Sequence, residues 1–359
     1  MSPRESLLFP WTETRMKISA ITQERIRRFR ANKLAWWSLW VLLGAYLLSL
    51  LSPWLVNDRP LVMSYQGRLA FPAFVFYPES NFGGRYETEA DYKLLLEEAL
   101  TQGKSVWTIM PPIPQDPLRA RLDGDGTPPY APSREHWLGT DAHGRDLLAR
   151  LIHGFRICMS FSLLLTLLST ILGVLIGAIQ GYLGGKFDIF AQRVIEVWSS
   201  LPFLYVVILI AALYGHGFWL LVGIMTVFSW IGLSYFMRGE FLRLRDVTYV
   251  KAARVLGYSH WHILVKEILP NALTPVVTLF PFALIGGISS LTSLDFLGFG
   301  LAPPTPSWGD LMSQGLSHLF APWIAVSTVL ALFITLLLAT FVGEGLRDAM
   351  DPKSGDRYE

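Results

Sequence analysis

Six long apolar stretches leave this chain few folds to choose from. They lie at roughly 34–56, 157–181, 190–214, 218–237, 274–297 and 322–344. A helix rising 1.5 Å per residue needs about 20 apolar residues to cross the ~30 Å hydrocarbon layer of a bilayer. Inside that layer each segment must satisfy its own backbone hydrogen bonds, so the runs predict an all-α, polytopic core of six transmembrane helices. Charge is correspondingly scarce: 16% of residues are charged, against about 25% in soluble domains. The third run opens with Arg193 and Glu196 ahead of LPFLYVVILIAALY, and the fifth contains Pro275, Pro281 and the pair Gly286, Gly287. Such breakers fit a span wherever neighbouring helices shelter the freed backbone groups.

Lysine and arginine in the flanks orient such a bundle. Arg15, Lys17, Arg25, Arg27, Arg28, Arg30 and Lys33 precede the first run, and Arg238, Arg243, Arg245, Lys251, Arg254 and Lys266 occupy the loop 238–273. The link 215–217 and the segment 298–321 contain neither residue type. Six spans then place both termini and the 238–273 loop in the cytoplasm. The long segment 57–150 falls outside, where its arginines are tolerated because long loops translocate largely regardless of charge. The first run is too long for a signal peptide, and SPWLVNDRP follows it instead of a small-residue cleavage site, so an uncleaved anchor is expected. The resulting division is a basic tail 1–33, a first span 34–56, an outer segment 57–150, a core 151–349 and a short tail 350–359. The outer segment contains one plausible helix around Glu87–Leu100. A loop of that length is functional or carries structure of its own: either a small packed appendage or a surface that helps receive a delivered substrate.

Little here looks like bond chemistry. Gly103-Lys104-Ser105 imitates the end of a phosphate-binding loop, but the required glycine five residues before the Gly-Lys pair is Glu98. His260 and His262 are two apart, which points them to different sides of a helix and makes a metal site improbable. The lone Cys158 permits no internal disulfide. No catalytic, cofactor-binding or metal residues are expected. Ionisable residues within the spans are few: Arg193 and Glu196, spaced to pair on one helix face, and Asp295 near the outer end of the fifth. Their scarcity argues for an external energy source over an ion-coupled carrier. Gly173, Gly177 and Gly181 share a helix face and predict close packing within the bundle. Trp198, Ser199, Ser200 and Pro202, before the third clean run, are the weak candidates for a substrate pathway.

Between the fourth and fifth runs lies a polar, basic island, YVKAARVLGYSHWHILVKEILPN, residues 249–271. Ala252 and Ala253 precede Gly257 and Pro270, with Tyr249, Tyr258 and Trp261 among them. Composition alone leaves two readings open: a loop lying at anionic lipid headgroups, or a short helical knob presented to another protein.

The island resembles the cytoplasmic loop of binding-protein-dependent ABC importer permeases. Ala252-Ala253, Gly257 and Leu269-Pro270 match the family's alanine pair, glycine and closing Leu-Pro, with Lys251 in place of the usual acid. Two further stretches, WLGTDAHGRDLLARLIHGFRICMS at 137–160 and LDFLGFGLAPPTPSWGDLM at 294–312, are similar to the dipeptide and oligopeptide permeases of the C type. RFRANKLAWWSLW, NDRPL and YPESNFGG look like the Yej-type branch, which is implicated in import of peptides and of peptide conjugates such as microcin C. The resemblance implies a type I importer permease of the bacterial inner membrane. Its implied partners are a second, B-type permease subunit, ABC ATPase subunits that bind ATP and magnesium, a periplasmic solute-binding protein, membrane lipid and a peptide substrate, with no nucleic acid. The coupling residues implied are Tyr249, Lys251, Ala252, Ala253, Gly257, Tyr258, Trp261, Leu269 and Pro270. A permease of the same family for another solute, such as nickel, is the alternative, and an ion-coupled secondary carrier the more distant one.

Overall fold

The computed structural model describes residues 20–121 and 126–351. Arg15, Lys17 and most of the expected tail 350–359 lie outside those residues. The described residues begin with α1 (Ala20–Ala31) and α2 (Lys33–Leu50), separated by Asn32, whose side chain accepts from the Ala35 amide and caps α2. A single turn, α3 (Ser52–Leu55), ends the first apolar run. The segment that follows holds β1 (Val62–Tyr65), β2 (Arg68–Ala70), α4 (Tyr92–Thr101) and β3 (Val106–Ile109). The bundle then comprises α5 (Leu147–Leu183), α6 (Gly185–Ser199), α7 (Phe203–Tyr214) and α8 (Phe218–Leu244). The island forms α9 (Thr248–Val255), α10 (His260–His262), a wide π-turn at Ile263–Ile268 and α11 (Leu269–Ala272). The chain closes with α12 (Thr274–Phe296), α13 (Trp308–Ser317) and α14 (Pro322–Met350).

Five helices among the described residues, α2, α5, α8, α12 and α14, are long and apolar enough to cross a membrane. The expected third span departs from the sequence reading. It is a bent pair, α6 and α7, turned by 66° at a break between Ser199 and Phe203, and it counts as a sixth crossing only if both arms are taken together. Pro202 lacks the amide that would continue α6, and the residue before a proline is pushed out of helical conformation. Pro281, by contrast, lies within α12 and is buried, as the sheltered-breaker argument requires.

The glycine stripe explains the main packing. A Cβ added at Gly173 would sit 2.9 Å from the Trp230 carbonyl oxygen, at Gly181 2.5 Å from that of Arg238, and at Gly177 it would overlap that of Ser234. Three glycines four apart thus meet three carbonyls four apart, and α5 and α8 touch backbone to backbone. Gly177→Ala is expected to cost about 1–2 kcal/mol through overpacking. Thermal unfolding of the purified protein should shift down accordingly, while Gly239→Ala, whose Cβ meets nothing within 4 Å, should leave it unchanged or raise it.

Two of the apolar clusters among the described residues lie along α5 and α8. One joins Phe161 and Leu165 of α5, Val207 of α7, Leu221 and Met225 of α8 and Leu291 of α12. The other lies at the island end and joins Ala178, Met237 and Phe241 to Val250, Ala253, Ile263 and Ile268. At the opposite, distal end a buried ion cluster ties four separate stretches together. Arg150 is fully buried; its guanidinium faces Asp141 and Asp310, each at 3.2 Å, and donates to the carbonyls of Pro117 and Pro304. Arg145 shares Asp141, at 2.7 Å. Asp295 belongs to the same region and holds a loop in shape. Its carboxylate accepts from the Leu301 amide and the Ser307 hydroxyl, closing the connection between α12 and α13.

The membrane bundle is all helical, but the 57–150 segment adds a three-stranded antiparallel sheet in the order β2-β1-β3. Gln66 and Gly67, both with positive φ, make the two-residue hairpin turn between β1 and β2. The expected helix around Glu87–Leu100 is α4, started by Asp91, whose carboxylate accepts from the amides of Lys93 and Leu94.

Candidate functional site

The spacing within the island follows from how α9 ends. Gly257 has φ +78°, a conformation glycine adopts without steric cost. Its amide donates to the Arg254 carbonyl at 3.0 Å, and the Tyr258 amide donates to the Ala253 carbonyl at 3.2 Å. This is the Schellman pattern, in which the left-handed residue falls four positions after the one whose carbonyl is captured. Ser259 then caps the next turn, its hydroxyl accepting from the His262 amide.

The same geometry decides which residues face outward. Of the alanine pair only Ala252 is exposed; Ala253 is 4% exposed and packs with Val250 against Phe241 and Ile268. Ala253 therefore sets the seat of α9 on the bundle and faces inward, apart from the outward-facing residues of the expected set. Lys251, Gly257, Tyr258, Trp261 and Pro270 are exposed, Tyr249 is partly so, and Leu269 leans on the inner cluster. Two residues absent from the sequence-based set dominate the tip: Val255 is 89% exposed and Leu256 74%, beside Trp261 at 72%. Their signal lay in the sequence as two large apolar residues in the last turn of an otherwise basic helix, out of phase with the buried pair Val250 and Ala253.

Side-chain contacts hold the knob rigid. The Tyr182 hydroxyl and His260 Nδ1 are 2.7 Å apart, and Arg254 lies over the Tyr182 ring at 5.8 Å. Tyr258 stacks on His262 with ring centroids 4.5 Å apart and planes nearly parallel. Asn271 on α11 donates to the Glu267 carbonyl and reaches the Tyr249 hydroxyl at 3.4 Å. Each of these engages a polar group inside the knob and leaves the apolar tip free.

The pathway candidates all fall at the bend between α6 and α7. Trp198 donates to the Val227 carbonyl and stacks on Phe228, while the Ser199 and Ser200 hydroxyls donate back to the carbonyls of Glu196 and Val197. Pro202 caps α7. The two serines thus terminate α6 in the present conformation. Arg193 and Glu196 pair three residues apart at 2.6 Å on an exposed face, as their spacing predicts. A stronger link is not apparent from the sequence: Asp188 on α6 accepts two hydrogen bonds from the Arg238 guanidinium on α8, at 2.5 and 2.6 Å. That planar pairing fixes α6 to the end of α8 next to the island. Between α5, α8 and α12 lies an open cavity of about 250 Å³, with Ser169, Thr170 and Ser229 among apolar neighbours that include Phe236 and Phe280.

Residues 173–355 match the family described as "Binding-protein-dependent transport system inner membrane component", and residues 21–70 match "N-terminal TM domain of oligopeptide transport permease C". The chain is 42% identical over 373 residues to the peptidoglycan transport system permease protein YejE of Agrobacterium fabrum, covering 95% of this chain and 97% of that protein. It is 44% identical over 337 residues to the inner membrane ABC transporter permease protein YejE of Escherichia coli, covering 94% and 98%. With the oligopeptide transport system permease protein OppC of Haemophilus influenzae it shares 39% identity over 226 residues, 62% of this chain and 73% of that one.

Proposed function

The chain belongs to the inner-membrane components of binding-protein-dependent ABC transporters, in the C-type peptide permease branch, and from that membership we propose that it forms half of an ATP-driven peptide import pathway. The observation that carries the mechanism is the island's tip. Val255, Leu256 and Trp261 stand exposed on a knob whose inner side is welded to α5 and α8. Large apolar and aromatic side chains on a rigid mount are what an interface anchor requires.

In this reading an ATPase subunit on another chain receives the tip, and ATP with magnesium is bound there. Ala252, Lys251, Gly257, Tyr258 and Pro270 complete the contact around the tip, and Ala253 and Leu269 support it from inside. Closure of two ATPases moves the two knobs, and the rigid attachment of each knob passes that motion into the bundle. A B-type permease subunit supplies the other half of the path. A periplasmic binding protein delivers peptide to the end that holds the 57–150 segment. Both termini and the island then face the cytoplasm, in keeping with the lysine and arginine of the 238–273 loop. Peptide is the substrate class best supported by the names of the relatives, OppC above all.

Uptake of labelled peptide into vesicles holding the full assembly is the test. It should require ATP inside and vanish with an ATPase that cannot hydrolyse it. Accumulation by this chain alone on an ion gradient would instead establish a secondary carrier. Orientation has its own check. Ser307 is buried and unsuited to labelling, but Ser317, at the end of α13, is exposed, and the one native cysteine is buried. In Ser317→Cys, an impermeant maleimide should react with intact spheroplasts. Reaction only after the inner face is opened would reverse the proposed topology.

A further inference from the structure

The segment between the first two membrane helices carries an apolar loop that the transport reading does not use. Residues 69–78, LAFPAFVFYP, contain no charge, although Arg68 and Glu79 flank them directly. Phe71, Phe74, Val75 and Phe76 are all exposed, Phe74 by 62%. The loop is tightly built: the Phe74 and Val75 amides both donate to the Phe71 carbonyl. It is also fixed in place, because the Ala73 amide donates to the Pro60 carbonyl at 3.0 Å. Exposed aromatics in that number on an ordered turn need an apolar surrounding.

Its position says which one. From Lys33 to Leu50, α2 extends about 27 Å at 1.5 Å per residue, so the turn after it reaches the edge of a ~30 Å hydrocarbon layer. Trp54 lies in that turn, and the Phe74 ring stacks on it, centroids 6.2 Å apart and planes 22° apart. Leu47, Leu51 and Trp54, spaced along one helix face, are exposed as well, so a single apolar strip runs from the span into the loop. The chain below the loop is anchored to α5, where His153 Nε2 meets the Val56 carbonyl at 3.0 Å.

We infer that the 71–76 loop is a membrane-interface anchor: its phenylalanines enter the lipid headgroup and upper acyl region of the leaflet at the distal end, holding the 57–150 segment down on the bilayer. Aromatic rings are favoured at that depth, where one side is apolar and the other wet. The inference stands on the loop and the span alone and is independent of the transported substrate.

Single cysteines replacing Phe76, and separately Val75, carry an environment-sensitive fluorophore in the full chain, reconstituted with its co-expressed subunits in phosphatidylcholine nanodiscs. A third probe replaces Leu100, exposed on α4 of the same segment. Cys158 is buried and leaves little background. Lipids spin-labelled high on the acyl chain should quench the probes at 75 and 76 at least about twofold, with iodide quenching them weakly; the probe at 100 should show the reverse order. Iodide quenching at 75 and 76 equal to that at 100 would place the loop in water and end the proposal. Protection from both quenchers would mean that a protein, such as a second permease subunit, covers the loop, and would equally overturn it.

Discussion

Arg150→Met is expected to lower the stability of the folded protein by about 3–5 kcal/mol, the usual cost of removing one partner from a buried ionic cluster. Methionine keeps most of the length, so what is lost is charge and hydrogen bonds. The carbonyls of Pro117 and Pro304 lose their donor, and Asp310 loses its ion partner. Asp141, fully buried, retains Arg145 as its one ion partner among the described residues, beside the amides of His143 and Arg145. Because those groups come from the 57–150 segment, the α12–α13 loop and α13, the defect should appear as release of the distal end from the bundle. The measurements are membrane abundance and thermal unfolding in detergent, with Arg193→Met as the comparison. That arginine pairs on an exposed face, where ion pairs contribute little, and its loss should be nearly silent. Equal unfolding temperatures for the two variants would show that the distal cluster braces nothing.

Leu256→Glu is expected to leave the protein folded and inserted while weakening ATPase attachment by about 2 kcal/mol, or roughly 30-fold. The side chain is 74% exposed and belongs to none of the apolar clusters among the described residues, so the unpartnered fold does not depend on it. A carboxylate placed in a desolvated pocket is the penalty. Peptide uptake should fall in proportion at limiting ATPase. Ala253→Glu gives the contrasting result, since that residue faces Phe241 and Ile268 inside the chain and its replacement should cost the fold itself. The pair of variants separates docking from folding: wild-type co-purification and uptake in Leu256→Glu would remove the tip from the interface.

The sequence reveals some of this architecture and hides the rest for identifiable reasons. Long apolar runs announce helices because the bilayer penalises every unsatisfied backbone group along their length. A hydropathy window has no direction, however, so 190–214 reads as one span although Pro202 turns it by 66°. Gly173, Gly177 and Gly181 reveal a close-packed face but not its partner, because the nearest atoms they meet on α8 are carbonyl oxygens, which every residue possesses. The sheet was invisible: strands of three or four residues, such as Val62–Tyr65, carry too few side chains to display a two-residue period. In the island, Gly257 is legible because the helix end demands it. Which alanine turns inward depends on how α9 seats on Phe241 and Ile268, residues that lie outside α9 itself.

The three glycine–carbonyl contacts between α5 and α8 also restrict how the bundle is free to deform. Ordinary helix pairs glide by small rotamer adjustments, as in shear motions. Here each glycine is notched against a carbonyl with no room for even a single added carbon, so sliding would require the two backbones to part. The pair therefore behaves as one plank, double-width over the ~40 Å of α8, whose 27 residues rise 1.5 Å each, with the 37-residue α5 running on past it. Any alternation of access must pivot around the plank's margins, at the Ser200–Pro202 elbow on one side and the broad turn at Ile263–Ile268 on the other.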